Sequence, residues 1–89
     1  MTQSNARPAL TRIMFAVQAS CPVEASIDEC DDGLPYLAIQ LTMWATVSVT
    51  PESRVGHFGV EFTSSAGQMQ TMSGLTEAQA LAAVLRYVY

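Results

Sequence analysis

Leu37-Ala38-Ile39-Gln40-Leu41-Thr42-Met43-Trp44-Ala45-Thr46-Val47-Ser48-Val49 keeps a period of two over its whole length. Every odd position is apolar, and the even positions are small or polar apart from Trp44. Successive side chains of a strand point to opposite faces, so this alternation marks a half-buried β-strand. The pattern predicts one long strand over residues 36–49. Its odd face belongs to a core. Its even face carries Tyr36, Gln40, Thr42, Trp44, Thr46 and Ser48, which makes it large, uncharged and only weakly polar. Such a face suits a protein contact, and Trp and Tyr are enriched at binding hot spots. The competing reading places Trp44 under the N-terminal arm or a neighbouring strand.

Working outward, Asp31-Asp32-Gly33-Leu34-Pro35 precedes this strand and carries turn chemistry. Before it, Val23, Ala25 and Ile27 alternate with Glu24, Ser26 and Asp28. Residues 9–19 fit two periods. Leu10, Ile13, Met14 and Val17 share a helical face, while Thr11, Ile13, Phe15 and Val17 share a strand face. With strand-like neighbours, the economical reading is a strand over 10–28, interrupted near Pro22, with a helix over 9–19 as the alternative. On the other side, Thr50-Pro51-Glu52-Ser53 is a turn, because proline cannot donate to a ladder. A strand over 55–63 follows, with Phe58, Val60 and Phe62 on one side and His57, Gly59, Glu61 and Thr63 on the other. A short strand over 68–72 is weaker, since Met69 and Met72 do not share a face. Thr76 and Gln79 form a capping-box pattern at the start of a helix over 76–88. Ala78, Leu81, Ala82, Leu85 and Val88 recur along it at helical spacing, with Ala80, Ala83 and Val84 widening the arc.

The expected fold is therefore α+β: a mainly antiparallel sheet of about four strands (10–28, 36–49, 55–63, 68–72) with one C-terminal helix on one face. If 9–19 is helical, two helices share the sheet. Eighty-nine residues make a single domain, with residues 1–7 polar and expected to fray.

Charged residues make up 13% of the chain, about half the share typical of soluble domains. Lysine is absent, and Arg7, Arg12, Arg54 and Arg86 are scattered. With a net charge of −4, unaided nucleic-acid binding is not expected, because it needs clustered cations on one face. Cys21 and Cys30 are too few for a disulfide framework, and reduced thiols in a cytoplasmic protein are the expectation. The apolar run 13–17 is too short for a secretory signal, and no stretch approaches the roughly 20 apolar residues of a membrane span.

Five of the eight acids lie at Glu24, Asp28, Glu29, Asp31 and Asp32. Residues 28–33 partly match a calcium loop, but Cys30 replaces an oxygen ligand and Ile39 stands where a bidentate Glu is needed. The cluster then reads as a solvated turn, or as an acidic knob formed by Asp28, Glu29, Asp31 and Asp32 that meets a basic partner surface. Cys21, Cys30 and His57 match no common zinc spacing. His57, the lone histidine, has no nucleophile motif around it, and Gly56 and Gly59 lack a phosphate-loop context. No catalytic, cofactor or metal residue is expected.

Three function classes remain. The leading one is a small non-enzymatic protein-binding module that occupies a larger partner through Tyr36, Gln40, Thr42 and Trp44, through the acidic turn, or both. Size and low charge also match many short proteins of phages and mobile elements, anti-CRISPR inhibitors among them, although no motif here supports that placement. The second class is a homo-oligomeric accessory protein that self-associates, for example as a homodimer, through the same sheet face. The third, a small enzyme or metal protein using His57 and the cysteines, has no coherent site behind it.

Overall fold

The computed structural model describes residues 6–31, 33–41, 45–54 and 56–88. The element order is α1 (Ala6–Ser20), β1 (Glu24–Glu29), β2 (Pro35–Gln40), β3 (Thr46–Pro51), β4 (Phe58–Thr63), β5 (Met69–Leu75) and α2 (Glu77–Val88). The strands form one antiparallel sheet in the order β1-β2-β3-β4-β5, so every strand pairs with its chain neighbour. Both helices lie on one face of that sheet, joined to it by a shared core of Leu10, Ile13, Val17, Leu37, Ile39, Val47, Val49, Val60 and Val84. The α+β class and the antiparallel sheet agree with expectation, with five strands instead of about four.

The long alternating stretch is two strands. Leu37 pairs with Val49 and Ile39 with Val47, and the Leu41 amide donates to the Ala45 carbonyl at 2.9 Å. The expected single strand over 36–49 is thus a hairpin. The reason is parity. Three residues separate the closing pair Leu41 and Ala45, and an odd-length connection returns odd residues to the face they left. A period of two therefore runs unbroken through the reversal, and periodicity alone cannot reveal it.

The N-terminal half of the expected strand over 10–28 is helix α1, and β1 begins only at Glu24. Ala6, Ala9, Leu10, Ile13 and Val17 form the buried stripe of α1, at spacings of three and four. The strand pattern had left Leu10 and Met14 outside its face. The helical one uses both, and leaves Phe15 60% exposed. Pro8 sits in the first turn, where a missing N–H breaks no helical bond. The Cys21 amide closes the last turn on the Val17 carbonyl at 2.9 Å, and Pro22 follows as a stop.

Two of the hairpin turns share one device. Cys30 N–H donates to Leu34 and Gly33 N–H to Cys30, while Ser64 N–H donates to Gln68 and Gly67 N–H to Ser64. Gly33 and Gly67 have φ of 85° and 86°, the left-handed conformation that a three-residue hairpin loop needs at its last position.

β5 carries a bulge. Val60 pairs with Met72 but Phe58 with Leu75, so β5 has one extra residue over that step. The bulge lets Met72 and Leu75 both reach the core despite a spacing of three, while Met69 and Met72, as the sequence indicated, do not share a face. The Gly74 amide donates to Glu52 Oε1 at 2.9 Å, across Gly59, whose lack of a side chain leaves room for that carboxylate. α2 starts with the predicted capping box, Gln79 N–H to Thr76 Oγ1 at 3.3 Å and Thr76 N–H to Gln79 Oε1 at 3.0 Å. Its buried stripe is Ala80, Ala83 and Val84, flanked by Leu81, Leu85, Tyr87 and Val88, while Ala78 and Ala82 are exposed. The expected stripe was therefore centred on the wrong side of the helix, because α2 sits against α1 and needs small residues at the contact. Arg12 of α1 grips Glu77 of α2 with two hydrogen bonds of 2.8 Å.

Candidate functional site

Among the described residues, nothing covers the sheet face turned away from the helices. Register places its side chains in rows that cross all five strands. One row is Glu24, Gln40, Thr46, Thr63 and Met69. The next is Ser26, Ala38, Ser48, Glu61 and Thr71. Beyond it Asp28 lies opposite Tyr36, and Thr50 opposite Gly59. The local reason is the same alternation that builds the core: the residues not spent on the inner face are Thr, Ser, Ala and Gln, with β-branched threonines suited to an extended backbone. Helix α1 does not cover this face, since its buried stripe packs with Leu37 and Ile39 on the other side.

The charge on this face has one sign. Glu24, Asp28 and Glu61 lie on it, and Glu52 reaches over it at Gly59. The four arginines lie elsewhere: Arg7 and Arg12 on α1, Arg86 on α2, and Arg54 in the β3–β4 connection. The open sheet is thus acidic, while two of the three arginines on the helices, Arg7 and Arg12, are paired with Glu29 and Glu77. A shallow depression of about 470 Å³ beside the β1–β2 turn is lined by Tyr36, Ser48, Thr50 and Glu61 together with Glu29, Cys30 and Asp31 at its rim. It offers one aromatic ring among carboxylates and hydroxyls, a chemistry matched to an Arg or Lys side chain.

The residues singled out from sequence separate into three groups. Tyr36, half-buried, and Gln40, exposed, lie together on the open face, and Asp28, assigned from sequence to the acidic turn, is exposed on the same face of β1. Asp31 is exposed in the turn, while Glu29 points the other way and pairs with Arg7 at 3.0 Å. Thr42, Trp44 and Asp32 lie outside the described residues. The continuous strand that was to carry Thr42 and Trp44 onto the face with Tyr36 ends at Gln40. Glu24 and Ser26 share the side of Asp28, as their alternation implied, while Thr71 joins the face through cross-strand register, which period-two counting does not supply. Glu61 was legible as an outward residue of its own strand, but its row with Ser48 and Ala38 was not.

Cys21 and Cys30 lie at opposite ends of β1 and are free. A strand of six residues spans about 20 Å, well beyond the reach of a disulfide, so the two cannot bridge within one chain. His57 sits in the β3–β4 connection, where its amide donates to the Arg54 carbonyl at 3.1 Å. Among the described residues no polar or charged side chain is buried. No helix among them is long and apolar enough to cross a membrane. Comparison with protein-family models, curated proteins and solved structures finds no match to this chain.

Proposed function

We propose that this protein is a non-enzymatic binding module that occupies a basic surface of a larger protein partner with its open sheet face. The observation that carries the reading is the open face itself: among the described residues two helices cover one side of the sheet, none covers the other, and that side carries Glu24, Asp28 and Glu61 with no arginine on its strands. Shape supports it too, since a five-stranded face offers a broad contact. One-signed charge steers association with an oppositely charged partner and penalises wrong ones. Two thiols that cannot bridge fit a cytoplasmic setting. An inhibitor encoded by a phage or mobile element, anti-CRISPR proteins included, is the narrower form of this reading; it rests on size and charge character, and the neighbouring genes test it.

The direct experiment is affinity capture of the partner, quantified by mass spectrometry, with wild type, Ser48→Arg and a helix-side control, Gln18→Arg. Ser48 lies mid-face, so an arginine there sets like charge against a basic partner. Recovery is expected to fall at least about tenfold for Ser48→Arg, the scale of one unfavourable charge contact, and to hold for Gln18→Arg. Equal recovery of the same partner by all three sinks the proposal.

A homo-oligomer through the same face is the second reading, favoured by its Thr and Ser rows and opposed by its like charges. Light scattering separates the two. A dimer that dissociates on Ser48→Arg supports self-association, and a monomer at working concentration removes it.

A further inference from the structure

Strands β1 and β5 are the two edges of the sheet. Edge strands present unpaired N–H and C=O groups, and proteins usually blunt them with charge or proline. β1 is blunted by Glu24, Asp28 and Glu29. β5, Met69-Gln70-Thr71-Met72-Ser73-Gly74-Leu75, has neither charge nor proline, and Met69 is 59% exposed. Its bulge disturbs only the end near Gly74.

Beside this open edge lies a groove of about 610 Å³, between β5 and α2. Gln70, Thr71 and Met72 form one wall, and Ala83, Arg86 and Tyr87 the other. The walls are set in advance. The Tyr87 ring stacks on Phe62 with centroids 4.4 Å apart and planes 5° from parallel, and its hydroxyl donates to Gln70 Oε1 at 3.0 Å. Arg86 is the one charged residue lining the groove, and among the described residues it forms no ion pair.

We propose that the β5–α2 groove is a strand-addition site for an extended segment of another protein, one that carries Asp or Glu two residues from an apolar side chain. The edge supplies main-chain hydrogen bonds, and the groove supplies side-chain selection, the usual division of labour in strand addition. Residues two apart in an added strand share a face. The apolar one meets Met72, Ala83 and the Tyr87 ring, and the acidic one meets the Arg86 guanidinium. A second copy is a poorer occupant. Its β5 edge brings no carboxylate, and in its β1 edge the acid two residues from Ile27 on the C-terminal side, Glu29, is already held by Arg7. The site lies on the sheet's edge and does not depend on the open-face reading.

The test selects displayed random decapeptides on the full-length protein, then measures an enriched peptide by fluorescence anisotropy. Enriched sequences are expected to carry an apolar residue and an acidic one at a spacing of two. Arg86→Glu should weaken the peptide at least about tenfold, the scale of one lost charge pair. N-methylation of alternate peptide amides should abolish binding, and Ser48→Arg should leave it unchanged. Since Arg86 is exposed, its replacement leaves the fold standing, which the melting temperature checks. Failure to enrich peptides, enrichment without the acidic residue, or indifference to Arg86→Glu overturns the proposal. So does a dimer by light scattering in which β5 amides are protected from hydrogen exchange, since the second copy would then fill the edge.

Discussion

Two carboxylates show how individual residues tie this small fold together. Hydrogen bonds from Arg12 hold the Glu77 carboxyl below its ordinary value; partial burial opposes this and the charge of Arg12 adds to it. Glu77 also sits in the first turn of α2, where a negative charge is favoured. Because the folded value is the lower one, the stabilisation is complete above the unfolded carboxylate value of about 4.3 and disappears as pH falls through the folded one. Both side chains remain substantially exposed, so solvent screening keeps the contribution of the pair small. Glu77→Gln should therefore lower the melting temperature by a few degrees at neutral pH and by nothing measurable at pH ~2, with the difference shrinking in high salt. Glu52 plays a different part, accepting the bulge amide of Gly74. Glu52→Ala should speed hydrogen exchange at Gly74 selectively and cost about 1 kcal/mol, while Glu52→Gln, which keeps an acceptor, should restore most of the protection.

Among the elements, legibility depended on whether the signal was local. The α2 start was readable because a capping box is written within four residues, Thr76 to Gln79. Thr76→Ala should cost about 1 kcal/mol, seen as a lower denaturation midpoint with an unchanged slope. The reversal between β2 and β3 was unreadable for the parity reason: an odd connection copies the alternation through the turn. Helix α1 was readable only as one of two options, since Ile13 and Val17 satisfy both periods. What separated them was the sheet's demand for cover beyond what the twelve residues of α2 supply. Met69 and Met72 looked inconsistent as one strand because they do face opposite ways in β5, Met69 outward and Met72 toward the core, in a regular register that the bulge beyond Met72 does not touch.

For the molecule as a whole, the limiting quantity is core size. Among the described residues, the fully buried large side chains are few, and Leu10 and Ile13 of α1 are among them. Leu10→Ala should cost about 2–5 kcal/mol, a large part of the roughly 5–15 kcal/mol available to a small domain. Urea unfolding followed by circular dichroism should show that loss as a midpoint shift. The open face should respond in the opposite way. Ser48→Arg removes no core contact, so its melting temperature should stay within about 2 °C of wild type even where partner recovery collapses.

The candidate face was half legible. Tyr36, Gln40 and Asp28 were identified by alternation within single strands. Glu24, Ser26 and Glu61 were likewise readable as outward residues of their own strands, but the rows they form, and the place of Thr71, came from register between strands, which depends on loop length and pairing rather than on any one segment. By itself the sequence determined the α+β class, the buried side of the segments that form β1 to β4, and the capped start of the C-terminal helix, because these follow from local periodicity and short-range hydrogen bonding. Only the tertiary structure decided where the long alternation turns back, that residues 6–20 coil into a helix, and that both helices choose the same side. Those outcomes depend on contacts between distant segments. A chain with two apolar faces to cover and only one sheet side able to take them leaves the other side, with its carboxylates, open.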